Sequence, residues 1–299
     1  MNYLLRRSLW AILVLVSSFA PIYSLAQPFL PEDVPSPILT AFLEHPEISQ
    51  IEVVVTSGDT TIRDQLITID RAARKVTTQS FGFDPEQEGQ ASLSTRSESI
   101  YNEHWLLARK EYFSSNGDMR WWTIYEYTDD QLLLVQSTYM NVSRGEPAEQ
   151  VVSESHTTYE YEGAERRLLG WERVSTMPGF DSDITRATVR YDKEGRRTRV
   201  KNWDLNKAGK NTMIARVYRW KYNGNEIEQR VENLPTGKMQ KLRQWLDEEG
   251  RLLREEIELP VYDTQRTYFY EGNLLNKINY DFVFPNGELK QSERVYHYK

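Results

Sequence analysis

The sequence has 299 residues, a formal charge of −7, 12% aromatic residues and no cysteine. An acidic chain is a poor general partner for nucleic acid or an anionic membrane. The absence of thiols excludes disulfides, thiolate metal sites and a cysteine nucleophile, so the fold must rest on its own core.

In chain order, Arg6 and Arg7 precede the apolar run LWAILVLVSSFAPIYSLA, which ends in Ser24-Leu25-Ala26. This reads as a secretory signal peptide over 1–26, cleaved before Gln27. Ser17, Ser18 and Pro21 interrupt the run, so it is short for a membrane span. Removing the two arginines takes the charge from −7 to −9. No later stretch is apolar enough to span a bilayer, so no transmembrane segment is expected after signal cleavage. The expectation is an exported, periplasmic protein, with secretion as the alternative. The sequon Asn141-Val142-Ser143 is the one feature that fits a eukaryotic secretory route.

Residues 27–50 read as a proline-rich arm. Ser36 is placed to cap a short helix that starts at Pro37 and is stopped by Pro46. From Ile51 to the last residue the pattern is that of strands. IEVVVTS and TTIRDQLITID flank Gly58-Asp59, where a hairpin turn belongs. Residues 82–90 form a polar loop. After about residue 100, eleven of the fifteen glycines stand at turn-like positions, most of them 13 to 18 residues apart. Asp129-Asp130 fills the gap before Gly145 as a further turn. Aromatic strand ends recur at Tyr127, Tyr161, Tyr191, Tyr222, Leu246, Tyr270 and Tyr298, at spacings of 34, 30, 31, 24, 24 and 28 residues. One repeat is therefore one hairpin, clearest from about residue 120. The expected fold is all-β, an antiparallel meander of hairpin repeats in a strongly curved or barrel-like sheet, with one short N-terminal helix.

VRYDKEGRRTRV and QWLDEEGRLLREE resemble the tyrosine-aspartate repeats of Rhs-type secreted proteins, through Tyr191, Asp192, Gly195 and Arg196 and through Asp247, Gly250, Arg251 and Leu252. YFYEGNLLNKINYDFVFPNGELKQSE is similar to MORN-like repeats. The resemblance covers about residues 120–299 and implies a β-hairpin array. Large Rhs proteins wrap such arrays into a shell around a toxin; this chain has too few repeats to enclose a domain. No functional residue follows from the resemblance.

His45, His104, His156 and His297 lie in no metal-binding spacing, and no nucleophile elbow, phosphate loop or dinucleotide fingerprint is present. Asp181 and Asp183 are a calcium-like pair without the glycine and distal glutamate of a calcium loop. No catalytic, metal or cofactor site is therefore expected. Glu126 and Glu160 flank the aromatic strand ends and would suit a glycan hydrolase if they converged in a groove. The basic run from Arg190 to Lys201 is expected to form cross-strand ion pairs.

The candidate binding face is a ladder of rings. Tyr125 and Tyr127, Tyr159 and Tyr161, Tyr218 with Trp220 and Tyr222, and Tyr268 and Tyr270 share an i, i+2 spacing and hence one face of a strand. That face is either the core of a rolled sheet or a surface for an envelope protein or glycan. The sequence thus points to an exported, non-enzymatic binding or scaffold protein of the bacterial cell envelope. Its competitors are an envelope glycan hydrolase and a small relative of toxin-delivery shells.

Overall fold

The computed structural model describes residues 37–83, 91–143, 150–163, 166–177, 179–205, 211–234, 236–259 and 262–299. The leader, the arm up to the Ser36 cap, most of the 82–90 loop and the turns expected at Gly145 and Gly209 lie outside the described residues. One helix, α1 (Pro37–Glu44), precedes eighteen strands. These are β1 (Gln50–Ser57), β2 (Thr60–Asp70), β3 (Lys75–Phe83), β4 (Ala91–Tyr101), β5 (Leu107–Ser114) and β6 (Met119–Tyr127). There follow β7 (Leu133–Ser143), β8 (Gln150–Glu162), β9 (Arg167–Thr176), β10 (Asp183–Tyr191), β11 (Arg197–Leu205) and β12 (Asn211–Asn223). The last are β13 (Glu226–Asn233), β14 (Lys238–Leu246), β15 (Leu252–Glu258), β16 (Asp263–Glu271), β17 (Leu274–Val283) and β18 (Leu289–Tyr298).

Every strand pairs antiparallel with its sequence neighbours, and β1 pairs with β18, so the meander closes into a barrel. The seam runs from Ile51 opposite Tyr298 to Thr56 opposite Glu293. Lys299 fastens it: its backbone exchanges hydrogen bonds with Gln50, and its ammonium lies 2.6 Å from Glu52. Closure leaves no unpaired edge, the usual route to strand-on-strand aggregation.

The strands alternate sharply. On β8, Glu154, His156, Thr158, Glu160 and Glu162 are exposed while Thr157 and Tyr159 are buried; on β10, Arg186, Thr188 and Arg190 are exposed while Ala187 and Val189 are buried. The buried face is the inner wall. One apolar cluster joins Leu39 and Phe42 of α1 to Ile51, Val53, Ile67, Tyr280, Phe282 and Tyr296, so the helix packs on that wall. Arg71, from the β2–β3 turn, donates to the carbonyls of Phe42, His45 and Ile48 and satisfies the helix C-terminus. A second cluster, including Tyr159, Trp171, Val200 and Tyr218, lines β7 to β12.

The two ends of the barrel differ. At the tyrosine end, where even strands turn into odd ones, two turns share one capped geometry. In residues 192–196, Asp192 Oδ1 accepts the N–H groups of Glu194 and Arg196, and Oδ2 accepts Nε of Arg196 at 2.9 Å. Asp247 repeats this with Glu249 and Arg251, the Nε contact being 2.6 Å. The fourth residue of each turn is left-handed: Gly195 at φ 79° and Gly250 at φ 81°, a conformation glycine adopts without strain. The Arg196 guanidinium then lies 4.8 Å from the ring centre of Tyr222, and that of Arg251 lies 5.1 Å from Tyr270. Both Asp-Gly-Arg sets quoted above for the repeat resemblance therefore build one turn geometry and cover the next hairpin's anchor ring. The turn expected at Asp129-Asp130 forms over 128–132, with Gln131 in the left-handed position at φ 66°.

Candidate functional site

The nine candidate aromatic residues all occupy inner-wall positions. Tyr159 and Tyr218 are buried; Tyr125, Tyr127, Tyr161, Trp220, Tyr222, Tyr268 and Tyr270 are half-buried. Tyr159 donates to Gln136 Oε1 at 3.1 Å and Tyr268 to Glu255 Oε2 at 3.4 Å. Burial raises the phenol pKa of both, and neighbouring tyrosines or Glu255 push it the same way.

Four of the nine belong to a longer series. Tyr127, Tyr161, Tyr191, Tyr222, Tyr270 and Tyr298 each donate a hydroxyl hydrogen bond of 2.6–3.1 Å to a backbone carbonyl: Leu107, Leu133, Leu168, Arg197, Leu252 and Leu275. From Tyr161 onward each acceptor is the register partner of the preceding anchor, as Leu168 is of Tyr161 and Arg197 is of Tyr191, while Leu107 is the partner of Tyr101. The hydroxyls thus stitch hairpin to hairpin at the tyrosine end.

Between the apolar clusters, on β2 and β15–β18, the inner wall carries a charged group that the sequence alone did not reveal. Arg266 is 3.0 Å from Glu255, which also accepts from Gln244. Arg294 Nη2 is 2.8 Å from Asp64 Oδ2, off the line of a good hydrogen bond. Both guanidiniums face the ring of Tyr280, at 5.5 and 5.8 Å. Burial raises the pKa of Asp64, with Arg294 opposing the shift. Each acid is held by its own base, so this group reads as a compensated ionic cluster.

The third region is the arc β3–β6, whose inner wall carries a polar row while its outer wall mixes rings with charges such as Arg96, Glu98, Arg109 and Glu111. Following the register from the inner residues Val76 and Ile67 assigns Thr78, Thr95, Ser97, Ser99, Lys110 and Thr123 to the inner wall. The same register puts Phe81, Ile100, Phe113, Trp122 and Ile124 on the outer wall. The inner row carries Tyr112 stacked on Trp121, with centroids 5.0 Å apart and planes 9° apart. Both rings are half-buried, as is Lys110, which has no carboxylate partner among the described residues. The pair stands two to three residues from the β5–β6 turn, at the end opposite the anchor tyrosines. Hydroxyls, one free ammonium and a two-ring platform on an enclosed wall can hold a polar ligand by hydrogen bonds and stacking. Local sequence conceals this arc: ASLSTRSESIY alternates polar with polar, and only the register tells which hydroxyls face inward.

Ion pairs of the basic run form within its turn, where Arg196 meets Asp192 and Glu194 and Lys193 meets Glu194. Arg190 and Arg199 face each other as register partners instead. The pairing offsets carry the acids of neighbouring hairpins to other rows.

No family model matches this chain, and no curated protein matches it. Among solved structures, it is similar to a porin-like protein from Bacteroides uniformis ATCC 8492, with 9% identity and a TM-score of 0.41 over 84% of this chain and 96% of that one.

Proposed function

We propose that the protein is an exported, non-enzymatic binding protein of the bacterial cell envelope that works in water and takes a polar, hydroxyl-rich ligand on the inner wall of β3–β6. The polar inner row of that arc carries the reading. Thr123 and Thr95 are paired with Thr138 and Tyr112, but the other inward hydroxyls and the Lys110 ammonium need water or a ligand, because an apolar interior would leave them unsatisfied. Two further features support it. The leader sequence with Arg6, Arg7 and Ala26 fits export. The outer wall of β8, β10 and β13–β15 presents charges such as Glu160, Arg190, Arg230 and Arg243. A spanning barrel instead shows lipid an apolar band, and a lipid-facing Arg or Lys at mid-bilayer costs about 2–4 kcal/mol.

Fractionation of producing cells tests location: the mature chain should begin at Gln27 and leave with the osmotic-shock fluid. A chain that needs detergent for release from the membrane pellet overturns the aqueous reading. Tryptophan-fluorescence titration with muropeptides and cellotriose tests the site. At least one should give a saturable response that is lost in Trp121→Ala; no response to either rejects the arc as a binding surface.

A further inference from the structure

On the outer wall, register partners line up five cations across five consecutive strands: Arg190, Arg199, Arg219, Arg230 and Lys241. Like charges directly opposite in a sheet repel at Cβ separations of about 5 Å and destabilise it. At one end the row is compensated, since Arg230 and Lys241 share Glu228, at 2.8 and 3.3 Å. Arg219 lies 3.5 Å from Glu232. At the other end Arg190 and Arg199 have no carboxylate partner among the described residues, nor does Lys201, two residues along β11 on the same wall. Burial and the adjacent Arg190 and Arg219 lower the pKa of Arg199. A chain with net charge −7 thus concentrates unneutralised positive charge in one place.

We propose that this row binds a linear acidic polysaccharide laid across the strands. Neighbouring strands are about 4.8 Å apart, so the row presents one cation at each such step. A chain bearing a carboxylate or sulfate at each sugar unit can follow that line and remove the repulsion. The row contains no ring on which a base could stack, as single-stranded nucleic acid requires. It is also a single line on a convex wall, to which a flat lipid surface conforms poorly. The proposal does not depend on the inner arc, because the two sites lie on opposite faces and different strands.

Calorimetric titration of the mature protein with polygalacturonate, at low and at physiological salt, tests it. The triple variant Arg190→Gln/Arg199→Gln/Lys201→Gln should bind at least about tenfold more weakly, with a shallower salt dependence. Arg63→Gln, on β2 of the same outer wall but away from the row and paired with Glu52, should bind as the parent does. Without ligand the triple variant should melt no lower than the parent, because repulsion has been removed. Equal binding by the triple variant, a lower melting temperature for it, or tighter binding of duplex DNA or anionic vesicles than of polygalacturonate each overturns the proposal.

Discussion

A single hydroxyl sets the spacing between hairpins. The anchor tyrosines use their rings for packing and their hydroxyls to satisfy a carbonyl one hairpin back, so each contributes twice. Tyr191→Phe keeps the ring and leaves the Leu168 carbonyl without its donor. The expected loss is about 0.5–1.5 kcal/mol, read as a shift in urea midpoint at constant slope. Leu246 occupies the same place without a hydroxyl and cannot make this bond, which isolates the contribution of burial there. The anchors were legible in the sequence because aromatic, turn and spacing all lie within one hairpin. The acceptors were not, since naming Leu168 or Arg197 needs the register of a neighbouring unit. The same limit hid Asp64 and Arg294, which are 230 positions apart and meet only across the seam.

At the scale of elements, the turns decide where each strand reverses, and the sequence states them through Asp192, Gly195, Asp247 and Gly250. One glycine follows another logic. Gly170 lies within β9, and a Cβ there would stand 2.2 Å from the carbonyl oxygen of Ala187 on β10. That atom is backbone, so only separation of the two strands relieves the clash. Gly170→Ala should cost the upper part of the roughly 1–3 kcal/mol typical of overpacking. Gly82→Ala, whose added carbon would meet Ser94 Cβ at an ordinary 3.6 Å, should be tolerated in the same denaturation assay. Hairpin patterning does not announce such a position, because the close approach belongs to the next unit.

For the whole molecule, the all-β class, the hairpin meander and the short helix followed from local pattern. Closure did not, because it depends on strand number and on the accumulated curvature of the sheet. A chain ending at residue 288 lacks β18 and leaves β1 and β17 with bare edges. It should elute from a sizing column as larger species than the parent, or precipitate. The seam also has a kinetic consequence. Lys299 and Glu52 stand 247 positions apart, so the final ring contact waits until the whole stretch from β1 to β18 is available to fold. Until then the growing sheet holds two open borders, and ring completion is a late step of high contact order. A cell making this protein therefore carries a population of unfinished chains whose most vulnerable interval is the one before β1 and β18 meet.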